Sequence, residues 1–466
     1  MNNNRAHSLD ALRGYAIMTM ILSAMEAFSI LPRWMYHAQV PPPAHIFNPH
    51  IFGITWVDLI FPFFLFSMGA AIPLSLGRQL AKGTPRRQLL WKSVVRWVKL
   101  TFYAIFIIHM FPYMLGYEQE WMRYTLPLVA FALMFVLFMR NPFHLSSMWN
   151  RVVTWLAYAV AIAWMLIQPY AGGKSFSLND SDIIMLILAN VSLAGAVIYL
   201  LTPKRILWRL AFIPLIMAVF LSSKTDNSWQ QWLYNFTPAH WLYQFRYLEY
   251  LLIIIPGTIA GDLISRWLQR EELASVHAPL HQAPFVAPLS LMMIVCNVAC
   301  LYNRVMVLNL ILTAVLLVLL YLLLRKEDEE THYWKKLYLC GTYLLLLGLF
   351  IEAFEGGIRK DDVTFSYLFV TGGLAFFGLL FFTVVSDHYH VRWLCEPLEL
   401  VGRNPMLAYV SGSMVVVPIL MLTHIYPFID SWSSAPLPGF LKGVLLTALC
   451  MSVTSYFTIK KKLWKS

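Results

Sequence analysis

Runs of about 17 to 25 apolar residues recur from one end of this chain to the other, the length an α-helix needs to cross roughly 30 Å of hydrocarbon. Of the 466 residues, 59% are hydrophobic and only 13% charged, whereas charged residues make up about a quarter of a soluble domain. No polar stretch is long enough to build a core of its own. The sequence therefore predicts an all-α, polytopic integral membrane helix bundle, with residues 1–466 forming a single domain. About fourteen candidate spans are legible, and about 11 to 14 transmembrane helices are expected, because the short runs near residues 124 and 206 also suit re-entrant or interfacial segments.

Lys and Arg collect in alternate connections: Arg78 to Arg96, Arg140 and Arg151, Lys204 to Arg209, Lys335 and Lys336, and Lys460 to Lys462. By the positive-inside rule these face the cytoplasm, as do both termini, and residues 32–55 form an outer loop. The net charge of +11 is then a topological signal with attraction to anionic membrane lipids, and no nucleic-acid partner is expected. The opening segment reads as a retained first span, since Glu26 stands where a signal-cleavage site would be sought. Five cysteines form no C-x-x-C pair, so neither a disulfide framework nor a zinc site is indicated.

Chemistry concentrates around the second span. His37, His45 and His50 lie in the outer loop, and a neutral imidazole can take or give a proton near pH 7. Their spacing matches no metal motif, and no metal is predicted. Thr55 and Asp58 read as a capping box at the start of the span, and the same carboxylate suits orienting a histidine folded down from the loop. At the far end, the basic segment 78–99 holds Arg78, Lys82, Arg86 and Arg87, more cations than a topological label needs and suited to a ligand with several phosphates. Asp10 and Arg13 form an i,i+3 pair on the first span. Arg403 and Asn404 open a later span, where ionisable groups usually face a cavity or partner.

Taken in order, "SLDALRGYAIMTMIL", "GITWVDLIFPFFLFSMGAAIPLSL", "IPGTIAGDLI", "GIRKDDVTFSYLFVTGGLAFFGLL" and "GRNPMLAYV" resemble the bacterial relatives of heparan-α-glucosaminide N-acetyltransferase, a transmembrane acyltransferase family. That resemblance implies a multi-pass enzyme of the bacterial inner membrane that moves an acetyl group from cytoplasmic acetyl-CoA, its co-substrate, to an amino sugar or glycan on the outer side. It implies a catalytic histidine shortly before a G-x-T-x-x-D element, here Gly53, Thr55 and Asp58. The following Ala38 makes His37 the best match, with His45 second and His50 third. It also implies that Arg78, Lys82, Arg86 and Arg87 face the CoA phosphates. A homodimer is compatible with such an enzyme. The competing expectations are a secondary transporter of sugars or lipid-linked glycan intermediates, and a non-catalytic glycan-assembly factor.

Overall fold

The computed structural model describes residues 5–26, 30–271, 282–325 and 329–464. Among these, helices dominate and the only β-pairing is two isolated bridges. Among the described residues, twelve helices are long and apolar enough to cross a membrane, as the recurring apolar runs predict.

Ten helices build the region of interest: α1 (His7–Met25), α2 (Trp56–Ile72), α3 (Arg86–Met110), α4 (Ile183–Leu201), α5 (Leu251–Glu271), α6 (Ala283–Tyr302), α7 (Phe365–Phe382), α8 (Arg392–Gly402), α9 (Pro405–Ser411) and α10 (Pro436–Ile459). Helix α1 is not among the twelve, since Asp10 and Arg13 dilute its apolar character. Its nineteen residues still extend about 28 Å, and it runs the depth of the bundle beside α2, α8 and α10. The run near 206 breaks at Ala211 into Ile206–Leu210 and Phe212–Ser222, too short to be counted. These two cases account for the difference between fourteen runs and twelve spanning helices.

The bundle centres on α2 and α7, whose side chains are mostly buried among α1, α4, α5, α6 and the helix Glu329–Phe354, which packs along α7. With little hydrophobic drive between helices in lipid, close association relies on small residues that let backbones approach. A Cβ on Gly257 of α5 would lie 2.5 Å from the Phe66 carbonyl of α2, and one on Gly261 only 2.2 Å from that of Ala70. Helices α1 and α8 meet the same way: a Cβ on Gly14 would strike Leu398, and one on Gly402 would strike Asp10.

The first and last described segments, at Arg5 and Trp464, lie at one end of the bundle. Arg13 donates to the Gly402 carbonyl, and Asn404, two residues on, donates to Lys462 O beyond α10. Segment 78–99, expected as a connecting loop, is mostly helical. Only Lys82–Pro85 separate Arg78–Ala81 from α3, because Pro85, with its fixed φ, starts a new helix that carries the remaining cations.

The α2–α5 crossing is directly testable. Gly261→Leu should destabilise the bundle by about 3 kcal/mol or more, read as a lowered midpoint of thermal unfolding in detergent; an unchanged midpoint would refute backbone contact between these helices.

Candidate active site

Helix α2 begins under the outer loop, and its first turn organises what lies above. Thr55 precedes the helix with extended backbone, and its N–H donates to Asp58 Oδ2 at 2.9 Å. Its hydroxyl donates to the Tyr36 carbonyl at 2.8 Å, which ties the loop down. His37 then falls onto the carboxylate, with Nδ1 2.8 Å from Asp58 Oδ1. The Ala38 N–H adds a third bond at 3.3 Å. Asp58 has no exposed side-chain surface, whereas His37 retains 39%. A carboxylate only accepts, so in this contact Nδ1 is the donor.

A second loop completes this cluster. Lys360 Nζ stands 3.1 Å from His37 Nδ1 and 3.9 Å from Asp58 Oδ1. The Gly53 N–H donates to Ile358 O at 2.8 Å, and Arg359 donates to Pro49 O at 2.9 Å. Phe52 lies under the guanidinium groups of Arg304 and Arg359 and against Gly357, where a Cβ would meet its ring at 2.3 Å. From below, the Tyr367 hydroxyl donates to the Asp58 carbonyl at 2.7 Å.

His37 and Lys360 line one end of a cavity of about 390 Å³ whose other end is lined by Arg13, Arg96 and Trp464. Such a volume suits a small-molecule ligand. Its lining on α2 runs from Val57 to Ala71, about 21 Å of helix, and between the charged ends it is largely apolar, with Met20, Phe61, Phe64 and Met68 among its walls. Tyr409, also on the wall, donates to Asp182 Oδ2 at 2.7 Å. Beyond Arg13, a hollow of about 680 Å³ opens on the basic end, lined by Arg5, Asp10, Arg13, Arg78, Glu396, Glu399 and Arg403. Arg13 and Ala71 border both spaces.

The residues singled out from sequence divide accordingly. His37 and Asp58 are joined, and Asp10, Arg13, Arg78 and Arg403 surround the basic hollow. His45 is not brought to the cavity: it packs edge-on against Tyr36 with ring centroids 4.8 Å apart, because the proline-rich turn carries it away from Asp58. His50 is exposed. Lys82, Arg86 and Arg87 are exposed and border neither space, since the first turn of α3 points outward; the cavity takes Arg96 instead, about 15 Å further along. Asn404 is a structural clamp, bonded to Lys462 O and to the Trp464 N–H. Lys360 was not singled out; a lysine in an outer connection just before an apolar run is the signal that marks it. Among the described residues, no cluster of three or more His, Cys, Asp or Glu side chains is placed to hold a metal ion.

A family model described as "Domain of unknown function (DUF5009)" matches residues 5–264. The match takes in α1, the His37 loop, α2 and α3, and stops before Lys360 and the Arg403 region. No curated protein matches the chain.

Glu26 closes α1 at the outer end. It is 7% exposed, and neither carboxyl oxygen has a hydrogen-bond partner among the described residues. Glu26→Gln, which keeps the shape and removes the ionisable group, should leave the bundle at least as stable as the parent, read as an unfolding midpoint in detergent; a clearly lowered midpoint would mean that the carboxyl makes a charge-dependent contact.

Proposed function

We propose, for a chain that belongs to the DUF5009 family, that it is a transmembrane acyltransferase, carrying an acetyl group from an acetyl-CoA donor on the basic, cytoplasmic end to an amino sugar or glycan at the outer end. The observation that carries this reading is one cavity with His37 at one end and Arg13 and Arg96 at the other. The resemblance to the heparan-α-glucosaminide N-acetyltransferase family supplies the donor and acceptor classes, and the bacterial inner membrane as the location.

On this reading the donor's phosphates rest in the hollow of Arg5, Arg13, Arg78 and Arg403, where guanidinium groups suit anionic oxygens. The uncharged thioester arm extends along the apolar section toward His37. The acceptor nitrogen or oxygen attacks the thioester carbonyl, the C–S bond breaks, and His37 Nε2 takes the acceptor's proton and returns it to the departing thiolate. Attack by Nε2 itself, through an acetyl-imidazole, uses the same geometry. Asp58 holds the ring in the tautomer either route requires and stabilises it once charged. The Lys360 ammonium lies beside the site, where negative charge on the carbonyl oxygen would develop.

Purified protein in nanodiscs should release CoA from labelled acetyl-CoA and transfer label to a member of an amino-sugar panel. His37→Ala should lower turnover by about 10² to 10⁴ while leaving donor binding intact; retained turnover would remove His37 from the mechanism. Arg96→Met should raise the KM for the donor by about tenfold with kcat little changed. Solute uptake into vesicles lacking acetyl-CoA, with no CoA release in any condition, would replace transfer with transport.

A further inference from the structure

A second space lies on the opposite side of α2. It is a groove of about 850 Å³ with an almost wholly apolar lining. Helix α6 forms one wall and is carried by α7, while α8 and α10 form the other and are carried by α1; the floor is α1, α2 and α7. Leu291 and Val295 on the α6 wall are among the exposed apolar side chains of the molecule, so the groove opens sideways, toward the bilayer. The lining on α6 runs from Leu291 to Tyr302, about 17 Å of helix. Rings stand at both ends, Trp34 and Trp56 near the outer loop and Trp393 on α8, in the positions interfacial aromatics favour.

The outer mouth of this groove is built from the same two segments as the candidate active site. Trp34 lines the mouth and His37 the cavity, three residues apart in one loop and so at most about 11 Å apart along the chain. Thr55 lines the groove while its N–H and hydroxyl bond to Asp58 and Tyr36. A molecule with its tail in the groove could therefore reach His37 with a head group of one or two sugar rings.

We infer that this groove binds the hydrocarbon chain of a lipid-anchored acceptor, so that the glycan presented to His37 arrives on a membrane lipid and not free in solution. The inference rests on the transfer reading above and names the acceptor's class. The nearness of its outer mouth to His37 along the chain, its lateral opening and its apolar lining select hydrocarbon over a soluble ligand.

The test uses the protein in nanodiscs with one amino sugar in two forms, a methyl glycoside and a hexadecyl glycoside carrying a diazirine on the chain. The hexadecyl form should show a KM at least about tenfold lower. Membrane partitioning alone would also favour it, so the variants decide: Ala299→Trp and Val295→Trp, which fill the groove at two places, should bring kcat/KM for the two acceptors together. Photolabelling read by mass spectrometry should give adducts within Leu291–Asn303 that both variants lose. Equal kcat/KM in the parent, an unchanged preference in both variants, adducts elsewhere, or protein–protein crosslinks in place of lipid adducts would each overturn the inference. Adducts at the groove without product from either acceptor would uphold the groove and overturn the transfer reading alone.

Discussion

A carboxylate cut off from solvent has to be surrounded by donors, and Asp58 imposes that requirement on everything above α2. Leaving such a charge unpaired costs about 3 to 5 kcal/mol, so the segments that can donate are drawn to it. It accepts the Thr55 N–H, the Ala38 N–H and the His37 ring, with the Lys360 ammonium close by. Thr55 is the residue that precedes α2 and the other three come from more distant segments; without them the outer loop would have little to define its path across the helix end. Capping the helix and orienting the imidazole are thus one arrangement, because both use the lone pairs of a single carboxylate.

The same arrangement couples distant parts of the chain. Lys360 lies more than 300 residues after His37 and reaches it because Glu355 accepts the N–H groups of Phe365 and Ser366, at 2.7 and 2.8 Å, at the start of α7. That bond fixes the turn before α7, and the Phe52 contact with Gly357 holds the turn against the outer loop. Helix α7 is buried along nearly its whole length, so its outer terminus is a rigid mount. Of the three histidines in the outer loop, one is thereby held against a buried carboxylate.

How much of this was legible in the sequence depended on which physical signal each feature left. Apolar length gave the helices, and T-x-x-D gave the capping box at Thr55 and Asp58. Orientation around each helix was not legible, since a span apolar on all sides has no polar face to mark the interior. Counting cations therefore selected Arg86 and Arg87, which face solvent, over Arg96, which faces the cavity. Asn404 looked functional because it is polar at a span start, yet it spends both amide groups on the chain's own C-terminal segment. Lys360 left no spacing relation to His37, as the two meet only through the bundle.

The distribution of charge along the cavity bears on what could use it. Cations stand at both ends, and the walls between are mainly apolar, with Asp182 engaged by Tyr409. Carrying a charged solute through such a section would require it to shed its hydration with little to replace it. On the proposed transfer reading an acyl thioester would not face that cost: its anionic portion would stay with the arginines, only an uncharged arm would enter, and the acyl carbonyl alone would reach the imidazole. No charge would then have to cross the bilayer, and the apolar middle would bar leakage of ions and water while it sheathed the donor.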